Sequence, residues 1–300
     1  MTALRDVIWI AGFETSRALR TWRALSLVAV YCVGTGGSTW LFIQFIGLLE
    51  RELATTLGVA QTDVPGAMLG QLVESDLWRR ILTGMVGSED RGDLLVAIPI
   101  LAIFHRWVGF LLVPLFAATA SAECLAIDVA SRAIRYEALR TGRTPIVLGR
   151  WAGQLLLSAV ASLAGAAITA GLGLWAMVGN DPVPLALALL DATARAWLFA
   201  VPASAFGVLA SSLVKSAAWA RVLALGGVVG SWVAFGACQL ASARGAPWQA
   251  AVADAMVSVL PQAWLGGLWE PRGVIAPLAL VLLGGAITSF AAIRFATRDL

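Results

Sequence analysis

Histidine is almost absent from this chain: His105 stands alone among 300 residues. With no H-E-x-x-H pair and no Cys/His cluster, zinc-type chemistry has no ligand set. A lone histidine beside Arg106 reads as a polar anchor at an exterior interface. Cysteine is scarce as well. Cys32, Cys124 and Cys238 are odd in number and lie in apolar runs, so they read as small buried hydrophobes rather than a disulfide framework. The single lysine, Lys215, stands in SSLVKSAA, and no G-x-x-x-x-G-K-[ST] loop cradles a phosphate. If ATP drives this protein, another polypeptide binds it. Only 13% of residues are charged, and their distribution is not a nucleic-acid signature despite a net charge of +3. No catalytic residue, metal site or cofactor is expected on this chain.

Apolar residues dominate instead, at 59%, with a mean hydropathy of +0.83. Several apolar runs exceed the roughly 18 residues needed to cross a hydrocarbon core about 30 Å thick. In lipid only helices or closed barrels satisfy their own backbone, and continuous apolar runs mean helices. The fold class is therefore all-α, a polytopic membrane protein forming one transmembrane domain over residues 1–300. Six spans are expected at about 24–49, 107–127, 151–178, 196–214, 222–243 and 273–293. Residues 1–23 place Arg and Trp at helical spacing and read as an amphipathic helix lying at the membrane interface. The polar stretch 50–93 reads as an exterior segment able to grip an exterior partner. The short apolar run 94–104, closed by His105 and Arg106, reads as a re-entrant or interfacial helix. Residues 179–195 and 244–272 read as exterior connections.

Charge supports this order. With both termini inside, 13 of the 21 basic residues fall on the inner side against five acids. Lys and Arg near span ends set orientation, and they mark the cytoplasmic side. The expected location is the bacterial inner membrane, with both termini cytoplasmic. Glu123, the one carboxylate inside a span, reads as a snorkelling or arginine-paired side chain before a proton relay.

The densest charge lies in 128–150, DVASRAIRYEALRTGRTPIVLGR, between the second and third spans. Five arginines here cannot lie in lipid, where each costs about 2.5–3.5 kcal/mol at the bilayer centre. Arg132, Tyr136 and Arg140 share one helical face at i, i+4 spacing. Gly142 reads as a helix stop, and Thr144–Pro145 as the start of the next helix. The island is either a solvated loop that fixes topology or a docking element for a cytoplasmic partner.

Residues 114–150, with an apolar helix, an acidic exit at Glu123 and Asp128, and RYEALRTGRTPIVLGRW, resemble the permease subunits of type-2 ABC transporters. Those proteins carry an acidic residue, then a stretch like "GTLRxLL", then "PVSR", then "LGK". Asp128 matches the acidic position, Arg135 the arginine after "GTL", Arg143 the "SR" arginine and Arg150 the "LGK" lysine. The terminal ATRDL is similar to the family's "RRDL". The sequence departs from the pattern with SRAI in place of "GT" and Gly142 where the "PVS" region begins. The resemblance implies a cytoplasmic coupling helix between spans 2 and 3, and a separate cytoplasmic ATPase subunit that binds ATP and Mg. It also implies a second copy of the permease. Asp128, Arg132, Arg135, Tyr136, Arg140 and Arg143 would face the ATPase, with Glu14, Arg17 and Arg20 of the first helix as a secondary contact.

Aromatic and weakly polar groups within the spans suggest a substrate pathway: Trp40, Gln44, Phe110, Phe116, Trp232 and Phe235. The expected cargo is a lipid-like or amphipathic molecule moved outward. Gly226 and Gly230 form a G-x-x-x-G pair that permits close helix approach, within the chain or at a dimer seam. An alternative keeps the ATPase but moves no solute, using it for mechanotransmission or regulation.

Overall fold

The computed structural model describes residues 2–57, 65–68, 76–86, 92, 95–96, 98–244, 246–270 and 273–297. Of the expected exterior segment 50–93 and the partner site expected on it, 58–64, 69–75, 87–91 and 93 lie outside the described residues, as do 298–300 of the ATRDL ending. Among the described residues, six helices or helix pairs are long and apolar enough to cross a bilayer. They are Trp22–Thr56, Ile100–Ala130, Arg143–Ala176, Pro182–Leu213, Ala217–Arg244 and Ile275–Ala296. In number and order these are the six spans that hydropathy predicts.

The helices are α1 (Thr2–Arg20), α2 (Trp22–Leu57), α3 (Asp76–Val86), α4 (Ile100–Ser121), α5 (Ala126–Ala130) and α6 (Ile134–Thr141). There follow α7 (Arg143–Ala176), α8 (Pro182–Leu198), α9 (Ala200–Leu213), α10 (Ala217–Arg244), α11 (Pro247–Ser258), α12 (Leu265–Leu268) and α13 (Ile275–Ala296). With 34 residues at 1.5 Å each, α7 is about 50 Å long, well beyond the hydrocarbon thickness. Its charged start therefore has room outside the lipid.

Three boundaries differ from expectation, and at the first of them polar side chains find partners far away in sequence. The second span starts at Ile100, so 100–106 belong to it and form no separate interfacial helix. His105 is buried within the protein: its ring lies 3.1 Å from the Thr169 hydroxyl and 3.2 Å from that of Thr193. Arg106 donates to Asp191 at 2.6 Å. The fourth span starts at Pro182, so the LALALL stretch is part of it and not an exterior connection. Asp181 accepts the Val183 N–H at 3.3 Å and Pro182 supplies a preformed first turn. Finally, α11 and the Pro261–Leu268 segment meet at 78° and are together apolar enough for a broken span or a re-entrant loop. The described part of 244–272 thus holds an apolar helix pair where an exterior connection is expected.

Contacts divide the chain into two compact units. One comprises Met1–Leu27, Val113–Val160 and Trp197–Leu300; the other comprises Val28–Leu112 and Ala161–Ala196. The core of the first unit is built by Leu125, Ile134, Ile146, Val147, Val208 and Phe295, with Cys124 beside them. Where the helix breaks after Ser121, the Ser211 hydroxyl accepts the N–H groups of Leu125 (2.9 Å) and Ala126 (2.8 Å). Buried amide donors in lipid need such partners. In the second unit Phe42 stacks on Phe104 at 4.1 Å, and Thr39 and Thr169 share a hydrogen bond at 3.1 Å. The Glu50 carboxylate accepts the N–H groups of Gly66 (2.8 Å) and Met68 (2.9 Å).

Candidate functional site

The charged island folds as two short helices on the first unit's core. Ile134 is buried at the start of α6, and Glu137 and Ala138 are half-buried one turn later. Arg135, Tyr136, Leu139 and Arg140 are exposed on the opposite side, Tyr136 at 77% and Leu139 at 86%. Gly142 ends the helix as expected, at φ 80°, with its N–H on the Ala138 carbonyl at 3.1 Å. The next helix opens at Arg143, just ahead of Thr144. Arg132 does not join Tyr136 and Arg140 on one helical face. Its φ of 62° puts it in a turn before α6, a left-handed conformation that costs a non-glycine residue about 1 kcal/mol.

Arg150 holds this arrangement from behind. Its side chain is 3% exposed, 2.6 Å from Asp128 and 2.5 Å from Glu137, and it also donates to the Cys124 carbonyl. A guanidinium suits this role because its planar fork reaches several acceptors at once. One residue therefore joins the end of the second span, α6 and the third span. Asp128 is thus turned inward, and it also pairs with Arg17 of α1 at 3.3 Å. Arg143 is half-buried and donates to the Ala296 carbonyl at 2.6 Å.

The first helix lies directly on α7. A Cβ at Gly149 would come within 2.6 Å of the Ile10 Cβ, and one at Gly153 within 2.9 Å of the Glu14 Cβ. These two glycines, four apart, provide close helix approach. Thr15 donates to the Gly153 carbonyl at 3.1 Å, and Gln154 Nε2 to Glu14 at 3.4 Å. Ala11, Glu14 and Ala18 are buried, whereas Leu4, Ile8, Trp9 and Phe13 stand exposed on α1. Arg20 is exposed as well. Glu123 takes the arginine-paired arrangement, between Arg221 and Arg23, the latter at 3.8 Å.

Burial drives the Glu14 carboxyl above its ordinary 4.5; Arg150 and Arg17 pull the other way, and Asp128 and Glu137 push it further up. A raised value means that the folded chain keeps this proton to higher pH than the unfolded chain does. Stability then falls as pH climbs from 4.5 to the raised value, and the loss persists above it. Glu14→Gln should match the wild type in acid and melt progressively higher than it towards neutral pH. Thermal unfolding in detergent across that range checks this; a pH-independent difference contradicts it.

The six residues expected along a substrate path are divided between the two units. Trp40, Gln44 and Phe110 belong to one, and Phe116, Trp232 and Phe235 to the other. Trp40 stacks on Trp175 with centroids 5.9 Å apart, and Trp232 lies 6.2 Å from Phe199 at a tilt. Phe110 and Phe116 are buried, Gln44 is exposed and Phe235 half-buried. A Cβ at Gly226 or Gly230 would meet nothing within 4 Å. Sequence reasoning missed two features: Arg150 as the hub, and Gly149-x-x-x-Gly153 as the glycine pair that packs. The second was visible in LGRWAG; what it packs against was not. No family model matches the chain, and no curated protein is significantly similar to it.

Proposed function

We propose that the chain is the permease subunit of an ABC exporter, with α6 as its coupling helix. One observation carries this reading. An eight-residue helix exposes Arg135, Tyr136, Leu139 and Arg140 while Glu137 on its other face is fastened to buried Arg150. A loop needed only for topology requires arginines, but it does not require an exposed tyrosine and leucine between them. Interfaces are enriched in Arg and Tyr, and binding hot spots are enriched in the same residue types. A separate cytoplasmic ATPase, carrying ATP and Mg, would grip this surface differently in its two states. That differential affinity is what can move the helix. Because Arg150 and Asp128 join α6 to the second and third spans, displacement of α6 would reach the membrane directly. Arg132 and Arg20 extend the basic surface, and α1, with its exposed apolar side, would rest at the inner interface. Both termini would be cytoplasmic. A second copy of the chain would pack through the Gly226/Gly230 face, and the cargo would be lipid-like.

Arg135→Glu with Arg140→Glu tests the coupling surface. Exposed charges contribute little to folding, so the double variant should insert and melt like the wild type. Like charges opposed across an interface cost several kcal/mol, so co-purification with the ATPase, and its stimulation, should be lost. Normal stimulation by the double variant would reduce the island to a topology signal.

A further inference from the structure

Beside α1 the first unit holds a half-open pocket of about 180 Å³, where apolar side chains surround a polar set of Glu14, Arg17, Glu123 and Gln154. Its buried lining is rich in acceptors. Glu14 is 7% exposed and Gln154 5% exposed, and the Gln154 Oε1 is buried with no hydrogen-bond partner. Its rim is cationic: Arg23 and Arg221, 71% and 41% exposed, flank Glu123 there. The Arg221 Nε is itself a buried donor without a partner. The rim residues also line a wider cleft of about 470 Å³ beside Ser26 and Thr119. Trp22 and Trp219 stand exposed nearby in the chain, at 82% and 65%, as tryptophans do at headgroup level.

An unpartnered acceptor deep inside calls for a donor, and adjacent carboxylates favour a cationic one. Two arginines share the single Glu123 carboxylate at the rim, which leaves positive charge there for an anion. We propose that this pocket binds the headgroup of an aminoethyl phospholipid. Its primary ammonium donates to Gln154, Glu14 and Glu123, and its phosphate rests on Arg23 and Arg221. The volume holds about six water-sized groups, which suits an aminoethyl phosphate. A choline headgroup has no N–H to donate, and a glycerol headgroup has no positive charge. The acyl chains would lie outside, along the exposed side of the first span at Leu25. This site needs no ATPase and stands apart from the coupling reading.

The test is native mass spectrometry of the full chain in detergent with dioleoyl lipids in equal amounts. The headgroups are ethanolamine, N-methylethanolamine, N,N-dimethylethanolamine, choline and glycerol. Retention should fall stepwise as N–H groups are replaced by methyls. Ethanolamine should exceed choline by roughly tenfold, the effect of one hydrogen bond to a charged group. Gln154→Leu should flatten the series. Because the wild type alone yields the series, a variant that fails to fold leaves the test intact. Equal retention of the glycerol lipid would overturn the proposal in favour of an arginine-only anion site. Equal retention of all five headgroups would leave only water in the pocket. Soluble aminoethyl phosphate binding as tightly as the lipid would overturn the membrane source.

Discussion

Replacing Arg150 by methionine is expected to remove most folded protein from the membrane. The side chain that disappears is 3% exposed and serves Asp128, Glu137 and the Cys124 carbonyl together. Methionine fills a similar length but donates nothing. Glu137 would lose its partner in the cluster, and Asp128 would keep only Arg17, 3.3 Å away and itself 38% exposed. Breaking a buried ion pair by removing one member costs about 3–5 kcal/mol, because the remaining charge is desolvated without compensation. That is a large part of the roughly 5–15 kcal/mol that holds an ordinary domain folded. Arg150→Lys should fall between, since a point charge cannot fork onto two carboxylates and a carbonyl. Combining Arg150→Met with Asp128→Asn and Glu137→Gln should recover much of the loss, because no buried charge is then left alone. Thermal unfolding of detergent-purified protein ranks the four chains. A wild-type melting temperature for Arg150→Met would mean that the cluster does not hold the fold.

The prominence of Arg150 also marks the limit of what the chain discloses by itself. Its apolar runs specify six crossings, because hydropathy over some twenty residues is a local property. Gly142 was legible as a helix stop for the same reason: a positive φ at a helix end is decided within one turn. The differences lie where a polar residue, taken on its own chemistry, is assigned to water. His105 and Arg106 looked like the end of an apolar run, and Asp191 and Arg195 like part of a loop. In the fold Arg106 meets Asp191 at 2.6 Å across 85 positions, and Arg195 meets Asp191 at 2.9 Å on the next helical turn. Charges that neutralise one another extend a span that each alone would end. Asp128, placed on the expected docking surface, proved inward-facing by the same logic. Of the residues expected to couple, Arg135, Tyr136 and Arg140 stand exposed on α6, with Arg132 and Arg20 exposed elsewhere.

Glycines provide the second large effect, since the same residue type is expected to be indispensable at one place and silent at another. At Gly207 on α9, a Cβ would lie 2.5 Å from the Ala118 carbonyl oxygen and 2.7 Å from the Ser121 Cβ on α4. The first of these is backbone and cannot rotate away. Gly207→Leu should therefore push the two helices apart and unfold the first unit's core. Overpacking typically costs about 1–3 kcal/mol, and a clash with helix backbone belongs at or above the top of that range. Gly226 and Gly230 on α10 carry the more conspicuous motif, yet a Cβ at either meets open space within this chain. Among the described residues of the first unit, neither glycine is in close contact with another helix. Gly226→Leu and Gly230→Leu should leave the melting temperature of the isolated chain unchanged. If the face joins two copies, a leucine there holds the partner helix away by a side chain's width, because lipid offers no hydrophobic drive to close the gap. The expected result is a shift of the detergent complex from dimer to monomer in native mass spectrometry, with the monomer's melting curve preserved. An unchanged mass with unchanged melting would assign the face to lipid.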